Sequence, residues 1–174
     1  IIHEKGTDRA KFFRGEVDQY SWVDIGSSYL PSELNAAFLY AQFERAEEIN
    51  SDRLKSWNSY SQRLKPLRDE GLIELQSIPD TCQHNAHLFF IKTRDSEERA
   101  RLIACLKQSG VMAISHYVPL HSSQAGLRFG HFHGEDRWTT RESSRLLRLP
   151  LYFRLSEDAV EKIVALILHF YEMG

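Results

Sequence analysis

The 174 residues suffice for one ordinary domain, or for a small domain joined to part of another. Lysine and arginine total 22 against 24 aspartate and glutamate, a formal charge of −2, which gives no support to a broad nucleic-acid or polyanion surface. With 42% hydrophobic and 26% charged residues the composition is that of a soluble folded chain rather than a disordered one. No apolar run approaches the ~18–20 residues that cross a bilayer.

Two cysteines, Cys82 and Cys105, are too few and too scattered for a disulfide framework or a zinc site. They read as reduced thiols of a cytoplasmic protein. The opening Ile1-Ile2-His3-Glu4-Lys5 has no Met and no signal-peptide pattern, so the chain reads as a piece of something longer.

Residues 1–31 mix aromatics (Phe12, Phe13, Tyr20, Trp22, Tyr29) with charges and with the breakers Gly6, Gly15, Gly26 and Pro31. No period persists, and so aromatic a segment without its own core is expected to pack on another surface. Residues 32–70 predict one or two long helices, N-capped by Ser32. Leu34, Phe38, Ala41, Ile49, Trp57, Tyr60 and Leu64 supply the apolar stripe, and Pro66 and Gly71 stop it. Leu72–Gln76 predicts a short strand and Asn85–Thr93 a better one, by alternation. Asp95 caps a following helix, with Glu98 at capping-box spacing, that ends near Gly110. Val111–Val118 predicts a third strand, closed by Pro119.

Residues 120–135 read as loop and Arg137–Leu147 as helix, while Leu149-Pro150-Leu151 is extended because proline pushes its predecessor out of the helical region. Ser156 caps the last helix, with Glu157 and Asp158 in its first turn and Val160, Ile163, Val164, Ile167 and Phe170 as its buried face. The sum is an α+β layer, a small sheet with helices packed on it.

Candidate chemistry is sparse. His131 and His133 in Gly130-His-Phe-His-Gly-Glu-Asp136 have no element to fix them, so a solvated loop is favoured over a metal site. His116-Tyr117-Val118-Pro119-Leu120-His121 sits where a strand ends, and there His116 and His121 are equally placed to bind phosphate or hydroxyl groups or to be packed polar residues. Arginine outnumbers lysine fifteen to seven, and six arginines crowd residues 128–154, which suits anion capture or a solvated helix face. No phosphate-loop, dinucleotide, nucleophile-elbow or zinc-protease motif occurs.

Ordered strings carry more. Lys5-Gly6-Thr7-Asp8-Arg9, Phe12-Phe13-Arg14-Gly15-Glu16-Val17-Asp18, Gly26-Ser27-Ser28-Tyr29-Leu30 and Asn35-Ala36-Ala37-Phe38 run in sequence. Asn85-Ala86-His87-Leu88-Phe89, His116-Tyr117-Val118-Pro119-Leu120-His121 and Leu146-Leu147-Arg148-Leu149-Pro150-Leu151 follow. Together they resemble the nucleotide-sugar aminotransferases of the DegT/DnrJ/EryC1 family over essentially the whole chain.

The resemblance implies the α+β small C-terminal domain of a fold-type I pyridoxal-phosphate (PLP) transferase. Residues 1–31 would be the end of the large domain and an interface loop, and residues 32–174 the small domain. It implies a homodimer with active sites at the subunit interface. It also implies transfer of an amino group from L-glutamate to the 4-keto carbon of a dTDP-linked 6-deoxy sugar, feeding surface polysaccharide such as enterobacterial common antigen. No metal is implied.

The Schiff-base lysine and the acid that holds the pyridine nitrogen lie upstream of the matching region in the family, so no catalytic residue is assigned here. At the family's Gly-x-Asn-x-Arg, this chain has Ser28 in place of Asn and Leu30 in place of Arg. Ser28 and Tyr29 are the implied cofactor contacts. His116, Tyr117 and His121 are the implied contacts to the sugar nucleotide, and Arg9 and Arg14 to its diphosphate. The alternatives are a non-catalytic dimerisation or ligand-binding module, and a relative acting on another nucleotide keto-sugar.

Overall fold

The computed structural model of the chain describes residues 5–19 and 21–173. The chain divides into two compact units, residues 1–46 and 47–174.

In the first unit the expected coreless segment is a backbone clasp. Gly6, at φ +75°, accepts at its carbonyl from the N–H groups of Val23 (2.8 Å) and Asp24 (2.9 Å), and Lys5 N–H donates to Ser27 O at 3.0 Å. Thr7 and Trp22 form an antiparallel bridge, and Asp8 accepts from Ser21 N–H at 2.6 Å. A Cβ on Gly26 would lie 1.8 Å from Gly6 N, so two backbones meet where only glycine fits. The clasp brackets a short helix α1 (Arg9–Phe13) and is followed by α2 (Glu33–Phe43), capped as expected when Ser32 Oγ accepts from Asn35 N–H at 3.2 Å. Tyr20 lies outside the described residues.

The second unit holds a four-stranded antiparallel sheet in the order β1-β2-β4-β3, formed by Glu74–Leu75, Phe89–Lys92, Leu146–Leu149 and Ile114–Ser115 respectively. Its helices are α3 (Ala46–Arg63), α4 (Lys65–Asp69), α5 (Ser96–Gln108), α6 (Gln124–Phe129), α7 (Thr139–Arg145) and α8 (Glu157–Glu172). This is the α+β architecture the sequence predicts. Period two puts Phe89, Ile91, Leu147 and Leu149 on one sheet face, all buried. Trp57, Tyr60 and Leu64, Leu102 and Leu106, and Val160, Ile163, Val164 and Ile167 complete the core. Each such side chain contributes about 1.5–3 kcal/mol on burial. The Tyr60 ring stacks on Phe89 at 5.0 Å, and its hydroxyl donates to Pro150 O at 3.0 Å.

Two helix ends close alike. Gly71 N–H donates to Arg68 O and Leu72 N–H to Leu67 O; Gly110 N–H donates to Lys107 O and Val111 N–H to Leu106 O. Both glycines take the left-handed conformation that this motif needs.

Several expectations are corrected. The stripe assigned to residues 32–70 is buried only from Trp57 on: Leu34 is 84% and Phe38 71% exposed. Asp95 caps α5 as predicted, accepting from Glu98 N–H at 2.8 Å, but the Glu98 carboxylate reaches Arg94 N–H (2.7 Å) rather than the cap's own N–H. The strand expected over 111–118 contracts to Ile114–Ser115, and that over 85–93 to Phe89–Lys92. Within the expected loop 120–135, Ser123 caps α6 by accepting from Gly126 N–H. Leu146 and Leu147 are strand rather than helix, because β4 pairs β2 along its full length.

Candidate functional site

His116 and Tyr117 leave the edge strand β3 side by side, their rings 4.8 Å apart and both exposed. Tyr117 O accepts from Ser143 Oγ at 2.8 Å, which ties this strand exit to α7. Arg148 Nη1 lies 3.4 Å from His116 Nδ1. Beside them a pit of about 140 Å³ is lined by His87, Met112, Ile114, Arg148 and Pro150.

His121 is built differently. Its Nε2 is 2.8 Å from Asp136 Oδ2, and Phe132 covers the imidazole at 4.5 Å between ring centroids. Thr140 donates its hydroxyl to the same Asp136 oxygen and its N–H to Oδ1 at 3.3 Å. The Thr140 hydroxyl above all, then its N–H and His121, hold the Asp136 carboxyl below the usual carboxylate range. His121 thus stands in a half-buried cluster joining the turn after Pro119 to the start of α7.

The arginine-dense stretch is not one anion surface. Arg145 is buried: its Nε donates to Thr93 O at 2.6 Å, and its guanidinium pairs with Glu74 and, at 3.4 Å, with Glu142. Lys92 bridges the same two acids, at 2.7 Å to Glu142 and 3.1 Å to Glu74. Arg145 therefore staples β1, β2 and α7. Its hydrogen bond is the main cause of a lowered Glu74 carboxyl, and Glu142 the main cause of a raised Lys92 amine. Arg137 pairs with Glu135, while Arg128 and Arg154 lie over Phe129 and Phe153.

The remaining predicted residues belong to the first unit. Ser28 and Tyr29 are exposed directly after the clasp. Arg9 lies over the Phe13 ring at 5.2 Å. Arg14 holds Glu16 at 2.6 Å, and that bond keeps the Glu16 carboxyl low.

Sequence reasoning missed Asp136, Thr140 and the individual place of Arg148. The alternation in Leu146-Leu147-Arg148-Leu149 was the available signal, since it sets Arg148 opposite the buried leucines. Among the described residues no group of three His, Cys, Asp or Glu is placed to hold a metal ion, and no helix is long and apolar enough to cross a membrane. His131 and His133 are exposed.

The fold and the polar strand exit define a small α+β unit of the kind that closes aminotransferases. Residues 1–168 match the model of the DegT/DnrJ/EryC1/StrS aminotransferase family, and the chain belongs to that family. A "Pleiotropic regulatory protein" of Geobacillus stearothermophilus is 25% identical over 158 residues, covering 90% of this chain and 41% of that one. The aminotransferase TlmJ of Streptoalloteichus hindustanus superposes with a TM-score of 0.79 at 20% identity, over 99% of this chain and 43% of that chain. Spr1654 of Streptococcus pneumoniae, described as a sugar aminotransferase, superposes in its PLP form with a TM-score of 0.78 and in its PMP form with 0.79, each at 19% identity. Both forms cover 99% of this chain and 42% of theirs. At these identities the structural likeness shows the fold. The chain spans about two fifths of the length of the relatives it matches.

Proposed function

We propose that this chain is the C-terminal part of a PLP-dependent sugar aminotransferase. The reaction moves the amino group of L-glutamate onto the 4-keto carbon of dTDP-4-dehydro-6-deoxy-D-glucose. Its products are dTDP-4-amino-4,6-dideoxy-D-galactose and 2-oxoglutarate, as in the dTDP-4-amino-4,6-dideoxygalactose transaminases. The amino sugar serves surface polysaccharide such as enterobacterial common antigen, and the enzyme is a cytoplasmic homodimer. The observation that carries this reading is the family match over residues 1–168, together with the ordered strings from Lys5-Gly6-Thr7 to Leu149-Pro150-Leu151. The PLP and PMP forms of the pneumococcal relative support the cofactor.

PLP, when bound, supplies the electron sink through which an amino group leaves one carbon and enters another. The residues present suit its phosphate end. Ser28 and Tyr29 offer two exposed hydroxyl donors on a backbone fixed by the Gly6–Gly26 contact.

They do not suit its aldehyde end. A lysine that forms a Schiff base works as a free amine and needs a lowered pKa. Lys92 is held raised by Glu142 and Glu74, and the other six lysines are exposed. The family resemblance puts the reacting amine and the pyridine-binding acid upstream of the matching region, outside this chain, and the environment of Lys92 is consistent with that reading. Within it, Ser28 and Tyr29 hold phosphate oxygens, His116 and Tyr117 face the sugar nucleotide, and His121 with Asp136 fixes the turn that carries them.

The test is spectral and chemical. The complete protein is expected to show a PLP band that falls on adding glutamate, and then to convert the dTDP-keto-sugar to the amino sugar, read by mass spectrometry. A band indifferent to glutamate defeats the aminotransferase reading. Turnover of a different nucleotide keto-sugar alone defeats the substrate assignment. The lysine environments favour a second reading for the chain by itself, a ligand-binding module without turnover. Turnover by the isolated chain defeats that one.

A further inference from the structure

We propose that the pit lined by His87 and Arg148, with His116 beside Arg148, is a binding subsite for a phosphate group, supplied by the diphosphate of the sugar nucleotide. That source rests on the function proposed above; the preference for a phosphate rests on the pit alone.

Arg148 sits in the middle of β4, directly opposite Phe90 of β2 and Ile114 of β3. These three share the sheet face turned away from the buried Leu147 and Leu149. The arginine is half-buried, and among the described residues no carboxylate stands within ion-pair distance of it. Its polar neighbour is the His116 ring nitrogen at 3.4 Å, which occupies one of five N–H donors. A half-buried guanidinium with unused donors favours an anion, and a planar fork matches phosphate oxygens.

The opposite wall is built with backbone strain. Ala86, at φ +49°, takes a left-handed conformation that non-glycine residues rarely adopt, and its side chain is buried. Arg53 holds the turn, donating from Nε to Ala86 O at 3.0 Å and from Nη2 to His87 O. Asn85 Oδ1 accepts from His87 N–H at 3.1 Å. The strained turn thus presents the exposed His87 to the pit that Arg148 lines. Met112, Ile114 and Pro150 line the remaining sides with apolar surface. A volume of about 140 Å³ has room for one tetrahedral anion.

The experiment is NMR on the 174-residue chain, reading the His87 and His116 ring signals and Arg148 Nε–H while adding inorganic phosphate, dTDP or thymidine. Phosphate and dTDP are expected to move all three signals, dTDP at lower concentration, and thymidine none. Arg148→Gln is expected to weaken dTDP binding about tenfold, the scale of a hydrogen bond to a charged group. Arg148→Lys should restore part of it, and Arg101→Gln on α5 should leave it unchanged. Phosphate binding as tightly as dTDP would keep the anion site and overturn the nucleotide as its source. Unmoved ring signals, or an Arg148→Gln chain with native amide signals that binds dTDP like the wild type, would overturn the site. Should the complete protein fail in amino transfer while the chain binds dTDP through Arg148, the proposed function falls and the subsite stands.

Discussion

His121 Nε2 meets Asp136 Oδ2 at 2.8 Å across fifteen residues of chain, and both side chains are only about one-fifth exposed. The carboxyl of Asp136 is lowered, so its contribution to stability is full above its unfolded pKa of about 3.9 and is lost as pH falls through the lower folded value. Other carboxylates are lowered too, among them Glu74 and Glu157, so the informative quantity is a difference between variants. Asp136→Asn is expected to lower the melting temperature at pH 6 and to lose less of it than the wild type on acidification below pH 4. Circular-dichroism melts of both chains from pH 2.5 to 6 check this. Parallel curves would mean that the His121–Asp136–Thr140 cluster adds no acid-sensitive stability.

The same chemical deletion should have opposite signs at two tyrosines. Tyr60 is fully buried with its hydroxyl donated to Pro150 O, so Tyr60→Phe leaves a buried carbonyl short of a partner. A loss of about 1 kcal/mol is expected. The Tyr171 hydroxyl is buried without a hydrogen-bond partner among the described residues, and burial pushes its pKa up. Tyr171→Phe removes an unsatisfied group and is expected to be neutral or to stabilise by up to about 1 kcal/mol. Urea midpoints of the two variants decide it, and a destabilised Tyr171→Phe would mean that the hydroxyl has a partner in solution.

Arg145 carries two strand pairings and a helix on one guanidinium. Replacement by Met leaves Thr93 O without its donor, and leaves Lys92, with Arg141 3.5 Å from Glu142, to balance Glu74 and Glu142. Because Glu74 is half exposed, the loss is discounted to roughly 2–3 kcal/mol from the several that breaking a fully buried pair costs. The same network has two pH edges. The lowered Glu74 gives stability that is full above about pH 4.3 and fades below it, and the raised Lys92 gives stability that is full below about pH 10.4 and fades above it. The wild type should therefore lose more stability than Arg145→Met at the acid end, whereas the alkaline loss should persist in the variant because Lys92 keeps Glu74 and Glu142, as equilibrium unfolding at pH 3, 7 and 11 would show.

What the sequence made legible was local. Ser32, Asp95 and Ser156 cap the helices they were assigned to, because a cap needs only its own side chain and an N–H three residues on. The buried face of α8 followed from spacing alone for Val160, Ile163, Val164 and Ile167, while Phe170 at its end is only half-buried. Leu146-Leu147 misled because a two-residue apolar run fits either period, and only pairing with Phe89–Lys92 selects the strand. Leu34 and Phe38 misled for a related reason: periodicity records an apolar stripe, not a surface that covers it. At the site, the string His116-Tyr117-Val118-Pro119 pointed to the strand exit, whereas Asp136 and Arg148 join it only through tertiary contacts.

The cofactor contact assigned to Ser28 is testable in the complete enzyme. The family pattern has Asn there, and serine keeps a hydroxyl donor two residues after the Gly6–Gly26 backbone contact. Removing it deletes one hydrogen bond to a charged phosphate, about 1.5 kcal/mol or more. Ser28→Ala is therefore expected to release PLP about tenfold more readily, measured from the cofactor band after gel filtration into buffer without PLP. Ser28→Thr, which keeps the hydroxyl, should retain most of the cofactor. The KM for the dTDP-sugar should be unchanged once PLP is resupplied, because the contact proposed for Ser28 is to the phosphate and not to the sugar. Equal PLP retention by Ser28→Ala and wild type would remove Ser28 from the site and leave Tyr29 as the contact this segment supplies.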